Sequence, residues 1–249
     1  MLEHPWPTLM AAVLIVTVAY TVYGLTGFGA TIIAVPLLAH FFPIRFAVPL
    51  TLVFDLCAGA LLGLKNRQHL DRKELLGLLP FLLLGMAIGI TLLVQASERY
   101  LLMVLGLFVL GFASWSLLSK GTPAPVSKRW AIPTGLFGGA FTALYGTGGA
   151  IYAMYLARRL PDKTVLRASV GVLIFGTALV RLGLFTGSGF YAQSGLLPLA
   201  LALLPCALLG YMVGSHLHTR ISPQGAARAV WLLLILSGGS LLWRALTTP

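Results

Sequence analysis

The sequence predicts an all-α polytopic membrane protein made of two inverted repeats, each with a glycine-broken helical hairpin plus three transmembrane helices. Three observations predict this fold: an apolar composition, a series of long uncharged windows, and a glycine cluster that occurs twice. Of the 249 residues, 58% are hydrophobic and 9% are charged, and the mean hydropathy is +0.94. A soluble globular domain carries about 25% charged residues. The composition therefore excludes most cytoplasmic enzymes and a disordered chain.

The uncharged windows supply the transmembrane helices. An apolar window of about 17 to 25 residues is long enough to cross the hydrocarbon core as one helix, and a helix satisfies its own backbone polar groups in lipid. Only Asp55 and Arg181 place a formal charge inside these windows. The windows are 4–44, 46–64, 75–94, 101–118, 130–157, 168–185, 195–214 and 229–243.

The first window is expected to remain in the mature protein. Residues 1–7 contain Glu3 and no Lys or Arg, whereas a secretory signal peptide begins with a basic segment. Cys57 and Cys206 both lie in apolar windows, so they predict no disulfide framework.

Two windows, 4–44 and 130–157, are too long for one crossing and contain similar glycine clusters. The first cluster reads YGLTGFGA over residues 23–30, and the second reads YGTGGA over residues 145–150. Aligning Tyr23 with Tyr145 and Gly29 with Gly149 gives offsets of 122 and 120, about half the chain. An internal duplication explains this offset. It predicts a first repeat at 1–118, a cytoplasmic linker at 119–130 and a second repeat at 131–249.

The basic residues predict the topology. Loops 65–74, 119–130, 158–167 and 215–228 contain four, three, four and two of the 17 Lys and Arg residues, and loops retained in the cytoplasm are enriched in these residues. The four loops lie on one side only if each glycine-broken window enters and returns on its own side. The second repeat is then inverted relative to the first, an arrangement typical of secondary transporters. Because the net charge of +11 lies mainly in short loops between apolar windows, it does not indicate a nucleic-acid partner.

The glycine clusters also carry a resemblance to a known family. The stretch GLTGFGATIIAVPL at 24–37, followed by Pro43 and Ala47, resembles the first repeat of the TauE/SafE sulfite exporter family. The stretches GLFGG at 135–139 and GTGGA at 146–150 resemble its second repeat, so the likeness spans nearly the whole chain. The resemblance implies a bacterial inner-membrane carrier of sulfite, organosulfonates or related small anions.

The two glycine clusters are candidate anion-binding tips. A break in a helix frees backbone N–H groups at the start of the next half-helix, where the helix dipole adds partial positive charge. Glycine lets that backbone approach an anion closely, threonine hydroxyls can donate to it, and the two tyrosines either face the anion or close the hairpin. The alternative is that these glycines only allow close helix packing. The candidate residues are Tyr23, Thr26, Gly27, Gly29, Thr31, Tyr145, Thr147, Gly148 and Gly149.

Asp55 and Arg181 are the charged residues inside predicted crossings. Each would cost about 2.5 to 3.5 kcal/mol at the centre of a helix in lipid, so both need a reason to be there. Arg181 is therefore a further substrate-binding candidate that attracts the anion, while Asp55 tunes the site or carries a coupling proton. Alternatively, the two residues form a structural ion pair, or Arg181 extends to the membrane interface. The sequence leaves their pairing open.

The predicted function is secondary transport of sulfite, an organosulfonate or a short carboxylate by alternating access; the alternative is an anion channel with the same broken helices. An enzyme is not expected, because no catalytic constellation lies at membrane depth. No cofactor or metal is expected, since His216 and His218 lack a third ligand. The expected partners are the anion, the lipid bilayer and a coupling proton or sodium ion. Gly238 and Gly239 would permit a homodimer.

Overall fold

The computed structural model describes residues 6–27, 29–65, 70–118, 124–217 and 223–247, and these residues form α-helices without any strand. Six of the described helices are long and apolar enough to cross a membrane, which confirms the predicted helical, polytopic fold. In chain order the helices are α1 (Trp6–Thr26), α2 (Ala30–Leu38), α3 (Ile44–Lys65), α4 (Arg72–Gln95), α5 (Glu98–Leu118), α6 (Ala131–Tyr145), α7 (Gly148–Ala157), α8 (Lys163–Gly187), α9 (Leu196–Leu217) and α10 (Pro223–Thr247).

Several predictions fall partly or wholly outside the described residues. They concern the amino-terminal segment, the first glycine cluster, two basic loops, the linker and His218. The residues of these segments that lie outside are 1–5, 28, 66–69, 119–123 and 218–222.

Both long windows are broken inside their glycine clusters, as predicted. Helix α1 ends at Thr26 and α2 begins at Ala30, while α6 ends at Tyr145 and α7 begins at Gly148. Helices α2 and α7 have 9 and 10 residues, so each extends for about 15 Å, roughly half the hydrocarbon core. Each therefore ends or begins inside the bundle rather than crossing it.

Close helix pairs form the scaffold around these short helices. Helix α1 packs along α9, α4 along α6, α5 along α10 and α3 along α8. Glycines allow the tightest approaches: a Cβ added at Gly85 or Gly89 of α4 would clash with the backbone of α6, and one at Gly214 of α9 would clash with α1. These glycines serve helix packing, as small residues do in membrane bundles.

The surface of the bundle is apolar. Leu84 of α4, Leu107 of α5 and Leu201 of α9 are each more than half exposed. Exposed large apolar side chains over several helices are unfavourable in water, and they suit contact with lipid.

Three of the predicted basic loops meet at one end of the bundle. The Arg159 guanidinium binds the Glu74 carboxylate and donates 3.1 Å to the Val126 carbonyl oxygen. The backbone N–H of Asp71 donates 3.2 Å to the Ser169 hydroxyl. These contacts connect segments 70–74, 124–130 and 158–169, which we call the basic end.

The loops with few basic residues meet at the opposite end. Arg45, near the start of α3, donates to three carbonyl oxygens at the end of α4. Gln193, between α8 and α9, donates 3.1 Å to the Arg45 carbonyl oxygen, and Arg244 of α10 donates to Ala39, just after α2.

Candidate functional site

The two helix breaks meet inside the bundle. Gly29 precedes α2 with φ 92°, and Gly146 follows α6 with φ 74°. Both angles lie in the left-handed region, which glycine adopts without steric cost. The Thr31 hydroxyl on α2 donates a hydrogen bond of 2.5 Å to the Gly146 carbonyl oxygen. The break of the first half is therefore bound directly to the break of the second half.

A small cavity lies between the breaks. Its free volume is sufficient for about one water molecule. Side chains from α1, α2, α3, α6, α7 and α8 surround it, and most of them are buried. The lining residues are Tyr23, Gly29, Ala30, Thr31, Asp55, Thr142, Gly146, Thr147, Gly149, Ala150, Ile174, Thr177 and Arg181.

Arg181 supplies the positive charge of this cavity. Its residue surface is 2% exposed, its Nη1 lies 3.3 Å from Asp55 Oδ2, and its guanidinium carbon lies 5.3 Å from the centre of the Phe185 ring. A guanidinium has five N–H donors, yet Nε and Nη2 of Arg181 are buried with no hydrogen-bond partner among the described residues. Buried donors without partners are rare and costly, so this side chain retains unused capacity to bind an acceptor.

Asp55 on α3 pairs with Arg181 on α8, which connects the two halves of the chain. The sequence alone left this pairing open. The second carboxylate oxygen of Asp55, Oδ1, accepts a hydrogen bond of 2.7 Å from the Tyr20 hydroxyl on α1. The carboxylate is thus held on both sides, whereas the guanidinium is bound on one. The pair makes the cavity close to neutral, and the remaining donors belong to Arg181.

Two hydroxyl groups complete the set of free donors. Tyr23 Oη and Thr147 Oγ1 are both buried without a hydrogen-bond partner among the described residues. The Tyr23 ring lies between Tyr20 and Tyr211, at centroid distances of 6.2 and 6.0 Å, which fixes its position on α1. Thr147 lies in the second break, directly before α7. Free donors therefore converge from α1, from the second break and from α8.

The starts of α2 and α7 add partial positive charge at the cavity. The first N–H groups of a helix lack intrahelical acceptors, and the helix dipole places partial positive charge there. Ala30 of α2 and Ala150 of α7 both line the cavity, at or near the first residue of their helices. Two helix starts, a guanidinium and two hydroxyls around one small cavity favour a compact anion with several oxygen atoms.

The structure places most of the predicted site residues at this cavity. Besides Asp55, six of the ten substrate-binding candidates line it. They are Tyr23, Gly29, Thr31, Thr147, Gly149 and Arg181.

The other four candidates lie outside the cavity lining. Thr26 is exposed and donates back to the Val22 carbonyl oxygen of its own helix. Tyr145 donates 2.8 Å to Leu101 at the start of α5, so its hydroxyl closes the bundle instead of facing an anion. Gly148 packs against α6, and Gly27 packs against the Arg167 side chain. The equivalent tyrosines of the two clusters therefore have different environments.

Besides Ala30, Gly146 and Ala150 inside the glycine clusters, sequence reasoning missed Thr142, Ile174 and Thr177 as lining residues. Two of them carry a signal that could have found them, because Ile174 and Thr177 precede Arg181 by seven and four residues, the spacing of one helix face. The Thr142 hydroxyl donates to the Gly138 carbonyl oxygen and contacts the Tyr152 hydroxyl. Nothing in the local sequence distinguishes Thr142 from other small polar residues of the apolar windows.

The sequence predicts no metal site at His216 and His218, because the two imidazoles lack a third ligand. The Nδ1 atom of His216 lies 3.0 Å from the Met212 carbonyl oxygen within α9. This contact gives His216 a local structural role near the end of its helix.

Comparison with known proteins adds independent information. A family model described as sulfite exporter TauE/SafE matches residues 12–241. The "Probable inner membrane transporter protein TsaS" of Comamonas testosteroni is 30% identical over 200 residues, which cover 78% of this chain and 83% of that protein. No solved structure matches the chain.

Proposed function

The chain belongs to the TauE/SafE sulfite exporter family and is a multi-pass inner-membrane transporter; on this premise, we propose that it moves a small oxyanion by secondary transport, with alternating access around the cavity between the helix breaks. The observation that carries this proposal is the buried Arg181 guanidinium, whose Nε and Nη2 have no partner among the described residues. A buried cation with free donors binds an oxyanion by charge-assisted hydrogen bonds.

The cavity favours the smallest members of the expected substrate class. Backbone and side-chain donors recognise sulfite, sulfonate and carboxylate oxygens alike, so discrimination rests on size. Because the free volume holds about one water molecule, a compact anion such as sulfite needs less expansion of the site than an organosulfonate with a bulky substituent. Sulfite is therefore the leading substrate, in agreement with the description of the family.

Alternating access requires two halves that move against each other, and we infer that they are inverted repeats spanning 1–118 and 131–249. Two observations support this. Helix α1 reaches the basic end at its carboxyl terminus, where Arg167 contacts Gly24, whereas α6 leaves the basic end and brings Tyr145 to the start of α5. The packing is also reciprocal, since α1 pairs with the fourth helix of the other half, and so does α6.

Asp55 is the residue through which a proton would be coupled to the anion. The carboxylate and the anion compete for the same guanidinium, so a protonated Asp55 would release Arg181 for binding. Among the described residues, the other titratable groups near this carboxyl group are Tyr20, Tyr23 and Tyr191. Sodium coupling is the alternative, and collapse of the proton or the sodium gradient in vesicles distinguishes the two.

The experiment that tests the proposal is a binding and transport assay on the purified protein. We expect sulfite to raise the unfolding temperature of the wild-type protein and to accumulate in proteoliposomes against its gradient. An anion channel would dissipate the gradient without accumulation, and a protein that neither binds nor moves any anion of a sulfite, sulfonate and carboxylate panel would refute the proposal.

Two variants and a matched control link that assay to the site. Arg181→Gln should abolish the anion-dependent stabilisation, and the double variant Asp55→Asn/Arg181→Gln should do the same without leaving a buried carboxylate unpaired. Arg45→Gln removes an arginine that is bound to backbone carbonyls away from the cavity. This control should lower stability but retain the response to the anion.

We propose that a homodimer, if it forms, uses the face of α10 that carries Gly239. Of the two glycines at the centre of α10, Gly238 packs against Leu110, whereas Gly239 is exposed and has open space at its Cβ position. A dimer that uses this face should be disrupted by Gly239→Leu, which cross-linking in membranes would measure.

A further inference from the structure

Arg167 is a second arginine of α8; it is half-buried and lies on the basic-end side of the cavity. It precedes Arg181 by nearly four helical turns, about 20 Å along the axis, so the two side chains leave α8 from nearly the same face. Arg167 Nη2 donates 3.2 Å to the Gly24 carbonyl oxygen near the end of α1. A Cβ added at Gly27 would lie 3.2 Å from Arg167 Nε. The guanidinium is therefore packed against the first helix break.

This contact uses only part of the donor capacity of Arg167. Its Nε is buried without a hydrogen-bond partner among the described residues. Arg45 provides the contrast, because its Nε and Nη2 together donate to three carbonyl oxygens at the end of α4. Arg167 therefore differs from Arg45, whose Nε donates to the carbonyl oxygen of Leu93.

Tyr23 connects this arginine to the central cavity. Its hydroxyl is buried and has no hydrogen-bond partner among the described residues, and the residue lines the cavity. Tyr23 also directly precedes Gly24, whose carbonyl oxygen accepts the hydrogen bond from Arg167. An oxyanion bound at Arg167 would therefore meet the Tyr23 donor on its way to Arg181. Free donors of three residues form a series from the basic end towards the centre of the bundle.

We propose that Arg167 forms a second oxyanion site, from which the anion passes by way of Tyr23 to the Arg181 cavity. The ligand has the same chemistry as the transported substrate, a small anion with several oxygen atoms, so the inference rests on the proposed function. The site serves the basic end only, because the contacts of Arg167 lie at the end of α1 that reaches this side. Its role is capture and release of the anion, whereas Arg181 holds it between the two halves.

The test compares sulfite flux from the two sides of the membrane. Right-side-out and inside-out membrane vesicles containing wild-type protein or Arg167→Gln are assayed with radiolabelled sulfite. We expect the variant to raise the half-saturating sulfite concentration about tenfold on the side of the basic end, the effect of losing one charge-assisted contact, and to leave the other side unchanged. Arg167→Lys, which keeps the charge, should restore part of the affinity on that side.

Arg45→Gln serves as the matched control for loss of a helix-end arginine, and it should change neither side selectively. An Arg167→Gln effect of equal size on both sides, or on neither, would overturn the second site and leave the proposed function standing. Absence of sulfite binding and flux in the wild-type protein would overturn the proposed function and the second site together. If Arg167→Gln fails to fold, Arg167→Lys alone decides, since a purely structural arginine predicts no side-specific change in that variant.

Discussion

Replacing Asp55 with Asn should strengthen anion binding, although it removes a residue of the site. The Asn side chain keeps the size of Asp and retains an oxygen that can accept the hydrogen bond from Tyr20, which is 2.7 Å long in the wild-type protein. It loses the negative charge that lies 3.3 Å from the Arg181 guanidinium. Arg181 would then carry an uncompensated charge into a buried cavity that already contains free donors.

The expected size of the effect follows from the charges. An anion at Arg181 in the wild-type protein would be about 6 Å from the Asp55 carboxylate, and two like charges at this distance repel by about 3 kcal/mol at an effective dielectric constant of 20. Since 1.4 kcal/mol is a tenfold change in affinity, removal of the carboxylate should strengthen binding by about 10-fold to 100-fold. Without anion, the unpaired guanidinium should destabilise the protein by about 3 to 5 kcal/mol.

Calorimetry and thermal unfolding with sulfite measure both quantities. Asp55→Asn should unfold at a lower temperature than the wild-type protein without anion and should gain more stability when sulfite is added. Asp71→Asn is the matched control, because Asp71 caps α4 at the basic end through bonds from Lys73 and Glu74 N–H and Asn also caps helices. Weaker or unchanged sulfite binding in Asp55→Asn would refute the competition between carboxylate and anion.

Three further predictions test the assignment of individual residues. Tyr23→Phe should weaken sulfite binding by about 1.5 kcal/mol or more. Tyr145→Phe removes a hydroxyl that donates to a backbone carbonyl, so it should lower stability by about 1 kcal/mol without changing sulfite affinity. Equal sulfite affinities of the two variants in calorimetry would contradict this assignment. Gly146→Ala places a side chain at φ 74° and should lower the unfolding free energy by about 1 to 2 kcal/mol, so an unchanged denaturation midpoint would count against the strained break. Gly139→Leu should prevent folding because the added Cβ clashes with α4, whereas Gly183→Leu should fold because the space at its Cβ position is open. If both variants elute as folded protein in size-exclusion chromatography, the close packing of α6 on α4 is wrong.

The helix breaks and the two charges inside the apolar windows could be predicted from the sequence because each violates a strong physical rule. An uncharged window of 41 residues, 4–44, cannot be one crossing, and its glycine cluster shows where the helix ends. A charge in an apolar window is costly enough to require a partner or a function. Asp55 and Arg181 are therefore visible without coordinates, although their pairing depends on how α3 and α8 pack.

The environments of the tyrosines and threonines could not be predicted in the same way. Tyr23 and Tyr145 hold equivalent positions in the two clusters, yet Tyr23 lines the cavity with its hydroxyl unpaired among the described residues, whereas the Tyr145 hydroxyl donates to Leu101. Which direction a side chain takes at the end of a helix depends on the neighbouring helix, and this information is long-range. Thr26 and Thr147 differ for the same reason, since Thr26 lies on the exposed side of α1.

Two contacts at the cavity connect the two halves, and an anion that weakens one of them would promote movement between the halves. Asp55 and Arg181 belong to different halves, and so do Thr31 and Gly146, so the ion pair and the hydrogen bond both connect the halves at the cavity. A ligand shifts a conformational equilibrium only through its different affinities for the two states. An anion bound at the free Nε and Nη2 donors of Arg181 neutralises the guanidinium and thereby weakens its attraction to Asp55. Binding would then favour a state in which the halves are less tightly joined at this point, and release of the anion would restore the connection.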